Sequence, residues 1–394
     1  MTRVGSRPSA RAAVAPFAVM SILNRVAELR AAGRDVVSLC AGEPSAGAPT
    51  DVRAAMAALM GGEVPLGYTE TFGIRPLREA LAGHYARWYG LDVDPAAVAV
   101  TTGSSGAFTL AFLAAFDAGD RVALARPGYP AYRNILTALG CEVVELDCGP
   151  EQRYQPDVQA LAAAHARAPL AGLVLASPAN PTGTMVDAAQ LASLASWCRA
   201  HDVRLVSDEI YHGITASGEV GSCAWSVDPD ALVVSSFSKF WGMTGWRLGW
   251  CLVPPDLRSA FDALAGNFAL CAPVPAQHAA VAAFSERSYT EAAAAGRTFD
   301  DARRVLLAAL PELGWGAVAP ADGAFYVYAE LGAALGDHAD SVAWCAALLE
   351  REGVALTPGT DFDTVRGGSA VRVSLAAGPD AVAEAIPRIR RFQS

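Results

Sequence analysis

Lysine is almost absent from this chain of 394 residues. Of its 30 Lys and Arg residues, 29 are arginine, which leaves one lysine (30 − 29 = 1), Lys239. A lysine in a desolvated site can lose its proton and form an imine with a carbonyl compound, whereas a guanidinium group stays charged. The single lysine is therefore a candidate nucleophile, although chance survival of one surface lysine is an equal alternative on this count alone.

Charged residues are also scarce, at 18% against 53% hydrophobic residues, and this composition excludes a disordered or coiled-coil chain. The net charge is -10 and no run of basic residues occurs, so nucleic acid is not an expected partner. The eight cysteines lie far apart without C-x-x-C pairs. We therefore expect buried thiols in a reducing, cytoplasmic compartment and no metal site.

Uninterrupted apolar runs of membrane-spanning length are missing as well. Residues 95–116 carry no charge, but glycines and a Thr/Ser cluster at their centre favour a buried strand, loop and helix over a membrane span. The N-terminus loosely resembles a signal peptide, with Arg3, Arg7 and Arg11 before the apolar residues 12–23. Pro16 interrupts that stretch and no small-x-small cleavage site follows, so we do not expect export.

Short apolar runs of strand length alternate with helix-length segments from residue 98 onward. Seven of these runs are strand candidates, at residues 98–101, 121–125, 142–146, 172–177, 204–208, 231–236 and 249–253. Such a pattern predicts an α/β fold with a mainly parallel central sheet covered by helices. Two later strands, 324–329 and 370–375, flank a helix at 341–351 and predict a smaller α+β domain.

This pattern predicts two boundaries, which divide the chain into three segments. Residues 1–48 form an N-terminal arm and part of the small domain, residues 49–285 form the large domain, and residues 286–394 form the C-terminal small domain. Because no Gly/Ser-rich or Pro-rich linker separates these parts, we expect the two domains to pack closely.

Four loops follow predicted strands at the carboxyl edge of the sheet, where ligands bind in parallel sheets. The first, residues 101–106, contains Gly103, Ser104 and Ser105 and precedes a helix predicted at 107–116. Glycine backbone and a helix N-terminus suit an anion such as phosphate. A capped tight turn would have the same sequence, so this loop alone is a weak signal.

The second and third loops carry an aromatic ring and an amide. Tyr129 follows the second strand and can stack on a flat ring or simply pack against the core. Asn180 stands between two prolines, which fix its position and suit a hydrogen bond to a ligand oxygen. A turn-forming asparagine is the alternative.

Two adjacent carboxylates end the strand at 204–208. Successive strand residues face opposite ways, so we expect Asp208 to enter the site and Glu209 to point away. A buried carboxylate requires a cationic partner, and a protonated pyridine nitrogen meets that need if Lys239 is consumed as an imine. His212, beside Tyr211, is interpreted as a buried histidine and not as a proton shuttle.

An anion-binding helix start, a stacking ring, a donor amide, a carboxylate and an imine-forming lysine together match the requirements of pyridoxal 5'-phosphate. The motifs S-F-S-K-x7-R-x-G, N-P-T-G and S-D-E-I-Y are typical of one family. By these motifs the chain resembles the class I/II aminotransferases, which are fold type I pyridoxal-phosphate enzymes. The matching motifs extend from residue 42 to residue 372 and so cover nearly the whole chain.

The resemblance implies a role for each of the ring-facing residues. Lys239 would bind the cofactor covalently and then move the proton between the substrate Cα and the cofactor. Asp208 would pair with the pyridinium nitrogen and Tyr129 would stack on the ring. Asn180 and Tyr211 would bond the ring's phenolate oxygen.

The resemblance also implies how the phosphate and the substrate are held. The phosphate would be bound by the loop glycine, by three serines and by an arginine, namely Gly103, Ser104, Ser105, Ser236 and Arg247. Tyr68 would reach the phosphate of the neighbouring subunit, which implies a homodimer with shared active sites. Arg372 would clamp the substrate's α-carboxylate, with Gly42 beside it and Asn180 as a further substrate-binding residue.

One departure from the family concerns substrate choice. Members specific for dicarboxylates carry an extra arginine in the stretch that aligns with residues 266–277, and this chain has none there. We therefore predict that aspartate is a poor substrate. The N-terminal arm, with Arg11, Phe17 and Arg25, is a second candidate for lining the pocket, although simple packing of the arm explains these residues equally well.

The expected activity is transfer of an amino group between an L-amino acid and a 2-oxo acid. The runner-up is a lyase or cyclase that uses the same site for elimination, C-S cleavage or ring formation, because the motifs serve steps that all these reactions share. A non-catalytic effector module of a transcription regulator is a third reading. Regulators of this fold carry an N-terminal DNA-binding domain, and too few residues precede Gly42 to form one.

Overall fold

The computed structural model describes residues 8–394. Arg3 and Arg7 of the signal-peptide-like segment lie outside the described residues. The described strands, in chain order, are β1 (Val37–Ser38), β2 (Val98–Thr101), β3 (Arg121–Arg126), β4 (Glu142–Asp147), β5 (Gly172–Ala176), β6 (Arg204–Asp208), β7 (Leu232–Ser236), β8 (Gly249–Leu252), β9 (Tyr326–Glu330), β10 (Val354–Ala355), β11 (Thr357–Pro358) and β12 (Ala370–Ser374).

The α-helices of the same range surround these strands. They are α1 (Ala18–Ala31), α2 (Thr50–Gly61), α3 (Arg75–Tyr89), α4 (Gly103–Ala115), α5 (Pro130–Leu139), α6 (Val158–Arg167), α7 (Ala188–Ala200), α8 (Arg258–Ala269), α9 (Val274–Ala280), α10 (Glu286–Leu313), α11 (Ser341–Glu352) and α12 (Pro379–Gln393).

Seven strands form the central sheet in the order β2-β8-β7-β6-β5-β3-β4. Strand β8 runs antiparallel to both of its neighbours, and the remaining pairs are parallel. The sheet is buried on both faces, because successive side chains of one strand enter different apolar clusters. Leu173 and Leu175 pack on one face, whereas Val174 packs on the other. This burial explains why the strands are continuous apolar runs.

The C-terminal part of the chain adds a second, smaller sheet. Strands β11, β12 and β9 form a three-stranded antiparallel sheet, and β1 pairs with β10 in parallel. Through the β1–β10 pair, a segment near the start of the chain joins one near its end. One apolar cluster contains residues of both the central sheet and this C-terminal part, such as Leu173 and Val371.

The predicted α/β fold with a mainly parallel sheet is confirmed, and each of the seven strand candidates lies within one or two residues of its observed bounds. One helix start was wrong. We predicted a loop through residue 106, but α4 begins at Gly103, whose φ of +67° makes the turn directly after β2. Left-handed backbone of this kind favours glycine. The domain boundaries at 48/49 and 285/286 stay a prediction.

Residues 8–394 include no helix that is both long enough and apolar enough to cross a bilayer. All eight cysteines are free thiols.

Candidate active site

A cavity of about 410 Å³ opens at the carboxyl edge of the central sheet. The loops after β2, β3, β5, β6 and β7 all reach it, because parallel strands end at the same edge. Ten of the residues that the sequence predicts for the cofactor and the α-carboxylate line this cavity: Gly42, Ser104, Ser105, Tyr129, Asn180, Asp208, Tyr211, Lys239, Arg247 and Arg372.

Lys239 occupies the loop that follows β7 and points into the cavity. Its Nζ donates a hydrogen bond to the carbonyl oxygen of Gly42 at 2.6 Å. Burial, together with the nearby charge of Arg372, lowers the pKa of Lys239 to about 8. A much larger fraction of this amine is neutral at physiological pH than of an ordinary lysine.

Asp208 ends β6 and is only 5% exposed. Its Oδ1 accepts a hydrogen bond from the amide of Ile210 at 3.0 Å, and its Oδ2 accepts one from the hydroxyl of Tyr132. Burial raises the pKa of Asp208 to about 6, although both hydrogen bonds oppose that shift. A cation at the open side of this carboxylate would return the pKa toward its usual range.

Glu209 faces away from the cavity, as the strand alternation predicts. Its Oε1 accepts hydrogen bonds from Ser207 and from the amide of Ala224, and its Oε2 lies 3.6 Å from Nδ1 of His212. Burial raises the pKa of Glu209 to about 7 and lowers that of His212 to about 3. His212 is thus a buried neutral histidine whose Nδ1 lies 2.7 Å from the hydroxyl of Tyr89.

The anion-binding end of the cavity forms where α4 begins. The guanidinium group of Arg247 lies so close to Gly103 that a Cβ at this glycine would come within 2.4 Å of Nη2. Ser104 and Ser105 occupy the first turn of α4, whose free amides carry partial positive charge. An arginine and a helix N-terminus that meet at one point suit the binding of a phosphate group.

Two residues that the resemblance assigns to phosphate binding lie elsewhere in the single chain. Ser236 is 1% exposed and does not line the cavity; its Oγ bonds to the carbonyl of Leu248 and to Ser238. Ser238 lines the cavity in its place. Tyr68 is 82% exposed in the loop between α2 and α3 and does not line the cavity of its own chain.

A buried arginine forms the opposite end of the cavity. Arg372 is 4% exposed; it donates to Asn180 Oδ1 at 3.0 Å and to the carbonyl oxygen of Cys40 at 2.7 Å. Its guanidinium lies over the rings of Tyr326 and Phe362, at 4.5 and 4.8 Å from the ring centroids. These contacts fix the plane of the guanidinium, which suits bidentate binding of a carboxylate.

Sequence reasoning missed two tyrosines of this cavity. Tyr132 stands three residues after Tyr129 in the first turn of α5, and this spacing would have placed both rings on one face of the helix. The hydroxyl of Tyr326, on β9, lies 2.8 Å from that of Tyr211 and forms a hydrogen bond with it. The same Tyr326 hydroxyl restricts residue 42 to glycine, because a Cβ at position 42 would come within 2.9 Å of it. Only the packing of the C-terminal sheet brings Tyr326 here.

The N-terminal arm closes one side of the cavity, but not with the arginines considered above. Phe17 lines it, and its ring is stacked on that of Tyr129 with centroids 6.3 Å apart. Arg11 is exposed, and Arg25 pairs with Glu28 and Glu350 on the surface. Within residues 8–394, no cluster of His, Cys, Asp and Glu has the arrangement of a metal site.

The central sheet is mainly parallel and is covered on both faces, and a lysine, a carboxylate and a helix N-terminus meet at its carboxyl edge. This arrangement defines a fold type I transferase. The chain belongs to the aminotransferase class I and II family, whose sequence profile matches residues 34–389.

Individual relatives cover nearly the whole chain. A valine–pyruvate aminotransferase of Mycobacterium tuberculosis is 53% identical over 384 residues, which is 97% of each chain. A crystal structure of an aminotransferase from Mycobacterium tuberculosis superposes with a TM-score of 0.94 at 52% identity, covering 98% of this chain and 99% of the other. An aspartate aminotransferase from Thermus thermophilus with maleate gives 0.90 at 33% identity, covering 98% and 100%.

Proposed function

We propose that this protein is a pyridoxal-phosphate-dependent aminotransferase that moves the amino group of an apolar L-amino acid to a 2-oxo acid such as pyruvate. The observation that carries the proposal is the position of Lys239, the chain's only lysine, inside a cavity that also contains Asp208 and Arg372. The relative named valine–pyruvate aminotransferase, at 53% identity, supports the choice of an apolar donor and of pyruvate.

The residues at the carboxyl edge fit the cofactor. Arg247, packed against the Gly103 backbone, and the first turn of α4 would hold its phosphate. Asp208, a buried carboxylate that pairs with no arginine or lysine among the described ion pairs, would meet the ring nitrogen. Tyr129 would stack on the ring, while Asn180 and Tyr211 would bond its phenolate oxygen.

When bound, pyridoxal phosphate supplies an electron sink that stabilises a carbanion at the substrate Cα. The chain's own contribution begins with Lys239, whose amine, with a pKa near 8, is poised between its two protonation states. This Nζ would remove the proton from the Cα of the substrate and would then donate that proton back. Asp208 would keep its negative charge beside the ring nitrogen.

The substrate's α-carboxylate would bind at Arg372. Asn180, Tyr326 and Phe362 already hold that guanidinium in one orientation, so little side-chain entropy would be lost on binding. Amino donor and oxo-acid acceptor share the α-carboxylate, so one arginine serves both half-reactions. Gly42 leaves room beside it, because any larger residue would collide with Tyr326.

The same residues would also support elimination or ring formation. The relatives described above are named aminotransferases, and no residue of the cavity favours the lyase or cyclase alternative. We therefore retain transamination alone.

We also infer a cytoplasmic homodimer with shared active sites. Five large apolar side chains, Met60, Val64, Tyr68, Phe268 and Leu270, are exposed in the single chain. A second copy of the chain would cover exposed apolar side chains and would bring its Tyr68 to the neighbouring phosphate. Eight free thiols support a reducing compartment.

Separate half-reactions test the proposed function. Purified enzyme with cofactor is mixed with one amino acid at a time, and the visible spectrum is followed. Apolar donors are expected to convert the cofactor to its amine form. Addition of pyruvate, without any other reagent, is expected to restore the aldehyde form. Release of pyruvate and ammonia without an oxo acid would contradict transamination. A turnover number for aspartate equal to that of the best apolar donor would contradict the predicted donor class.

A further inference from the structure

Tyr326 is a cavity residue that touches two other residues of the site at once. It is 1% exposed and lines the cavity. Its hydroxyl lies 2.8 Å from that of Tyr211, the residue proposed to bond the ring's phenolate oxygen. The guanidinium of Arg372 lies over its ring, 4.5 Å from the centroid. The proposed function gives Tyr326 no role toward the cofactor, although it is the hydrogen-bond partner of a residue that has one.

The strand register brings Tyr326 under Arg372. Strands β9 and β12 are antiparallel neighbours, and Tyr328 on β9 is directly opposite Arg372 on β12. Tyr326 is two positions from Tyr328, so its side chain projects from the same face of the sheet as that of Arg372. The contact between the guanidinium and the ring therefore follows from the pairing of the two strands.

The chain just before β9 is bonded to the loop that carries Tyr211. The amide of Ala324 donates to the carbonyl oxygen of Ile214 at 2.8 Å. Gly323 packs so tightly on the same loop that a Cβ there would come within 2.9 Å of that carbonyl oxygen. The distance between the two tyrosine hydroxyls is therefore set by backbone contacts and requires no cofactor.

The two hydroxyls share one hydrogen bond, and its direction decides where the other proton points. Within residues 8–394, each hydroxyl has the other as its only hydrogen-bond partner. The hydroxyl that donates this bond has no proton left for the cavity, whereas the hydroxyl that accepts it keeps its own. Burial raises the pKa of both tyrosines. The rise is smaller at Tyr326, whose ring lies under the positive charge of Arg372, so Tyr326 is the stronger acid and the better donor.

We propose that Tyr326 is a positioning residue whose hydroxyl donates to Tyr211, so that the proton of Tyr211 points into the cavity, toward the phenolate oxygen of the cofactor. The inference rests on the proposed function and goes beyond it by explaining what orients Tyr211. A hydroxyl that accepts a hydrogen bond is polarised and donates a stronger one in turn. Phenylalanine at position 326 would keep a ring under Arg372 but would leave the hydroxyl of Tyr211 free to rotate.

Binding of two ligands to the cofactor-free enzyme tests this role. Pyridoxamine 5'-phosphate, the amine form of the cofactor, carries the phenolic oxygen and binds without a covalent bond to Lys239, and its 3-deoxy analogue lacks that oxygen. Tyr326→Phe is expected to weaken the binding of pyridoxamine phosphate by about 3- to 10-fold, the contribution of one hydrogen bond. The affinity for the 3-deoxy analogue is expected to stay within about 1.5-fold of wild type, because that ligand has no oxygen for Tyr211 to bond.

Tyr328→Phe is the matched control. It makes the same change at a buried tyrosine of the same strand that does not line the cavity, and it is expected to leave both affinities unchanged. Tyr211→Phe removes the other hydroxyl of the pair and is expected to weaken pyridoxamine phosphate more than Tyr326→Phe does. Adding Tyr326→Phe to Tyr211→Phe is expected to cause no further loss, because the hydroxyl that Tyr326 orients is then absent.

The visible absorption of the enzyme loaded with pyridoxal phosphate gives a second readout. A donor at the phenolate oxygen withdraws negative charge that would otherwise stabilise a proton on the nitrogen of Lys239. A weaker donor therefore raises the pKa of that nitrogen. The pH midpoint of the absorbance change is expected to rise by about 0.3–1 unit in Tyr326→Phe and to stay unchanged in Tyr328→Phe.

The proposed function and the role of Tyr326 fail in different ways. A wild-type enzyme that binds neither pyridoxal phosphate nor its amine form refutes the proposed function itself. If the wild type binds them, an equal loss of affinity for both test ligands in Tyr326→Phe refutes the positioning role, because a merely structural tyrosine would affect both alike. Unchanged affinities together with an unchanged pH midpoint refute it as well.

Discussion

Lys239 donates from its Nζ to the carbonyl oxygen of Gly42 at 2.6 Å, and this bond joins the loop after β7 to the segment after β1. A carbonyl acceptor stabilises the protonated amine, yet burial outweighs it, so the pKa falls from 10.5 to about 8.

Amine reactivity measures this shift directly. A neutral amine is the nucleophile, so in the ligand-free enzyme the labelling rate of Lys239 by acetic anhydride is expected to rise about tenfold per pH unit and to level near pH 8. Because the chain has one lysine, one peptide in the mass spectrum reports the whole profile. Protein unfolded in guanidinium chloride is the control, with levelling near pH 10.5. A native midpoint at that same value would contradict the shift.

Replacing Asp208 by Asn removes a charge and keeps the shape. We expect kcat to fall by about 10²-fold or more, because the ring nitrogen loses the carboxylate that keeps it protonated. Glu209→Gln is the matched control, as its carboxylate is equally buried but faces Ser207 and Ala224. Steady-state kinetics with valine and pyruvate checks both variants. An equal fall of kcat in both would contradict a specific role of Asp208 at the ring nitrogen.

Tyr132→Phe removes the hydroxyl that bonds Asp208. The pKa of Asp208 is expected to rise further above 6, because that hydrogen bond favours the charged form. A hydrogen bond to a charged group contributes about 1.5–3 kcal/mol, so the cofactor is expected to bind roughly 10- to 100-fold more weakly. Tyr129→Phe keeps its ring and is expected to bind the cofactor normally. Fluorescence titration of the cofactor-free enzyme compares the two, and matching affinities would contradict the assignment.

Arg372→Lys replaces a fixed fork of donors by a point charge. The KM values for both the amino donor and the oxo acid are expected to rise together by about 10- to 100-fold, since both carry the α-carboxylate. Arg366→Lys changes a partly exposed arginine that pairs with Asp147 and does not line the cavity. Arg366→Lys is expected to leave both KM values unchanged. A rise of KM for only one of the two substrates would indicate that Arg372 contacts that substrate's side chain and not the α-carboxylate that both substrates carry.

Subunit mixing tests the shared site. Tyr68→Ala and Lys239→Ala are each expected to be nearly inactive as pure proteins. After the two are unfolded and refolded together, mixed dimers carry one complete site, so activity is expected to recover to about a quarter of wild type. A mixture as inactive as its components would contradict a dimer that shares Tyr68, and activity in Lys239→Ala alone would overturn the central role of that lysine.

Much of the fold and of the cofactor face could be predicted from the sequence. Buried parallel strands are continuous apolar runs, so the residue at which each strand ends can be recognised in the sequence. The loops that follow the carboxyl ends of these strands meet at one edge of the sheet. Ser104, Asn180 and Asp208 were located in this way, each at the end of a strand or just after it, and the structure places all three at one cavity.

The substrate face could not be predicted, because it is assembled from remote parts of the chain. Asp361 stands 343 positions from Ala18, whose amide it bonds, and no local pattern predicts that pairing. The start of α1 depends on the same contact. This helix begins at Ala18, where Asp361 supplies the cap that the side chain of Phe17 does not provide.

The order of the cavity's residues along the chain has a consequence for protein synthesis. The side chains that we propose for the cofactor's phosphate and ring within one chain lie between Ser104 and Arg247, whereas Arg372 follows 125 positions later (372 − 247 = 125). At about 5–20 residues per second, a ribosome requires roughly 6–25 s for that interval. Each nascent chain therefore carries every residue of the cofactor face before it has the arginine that receives a substrate.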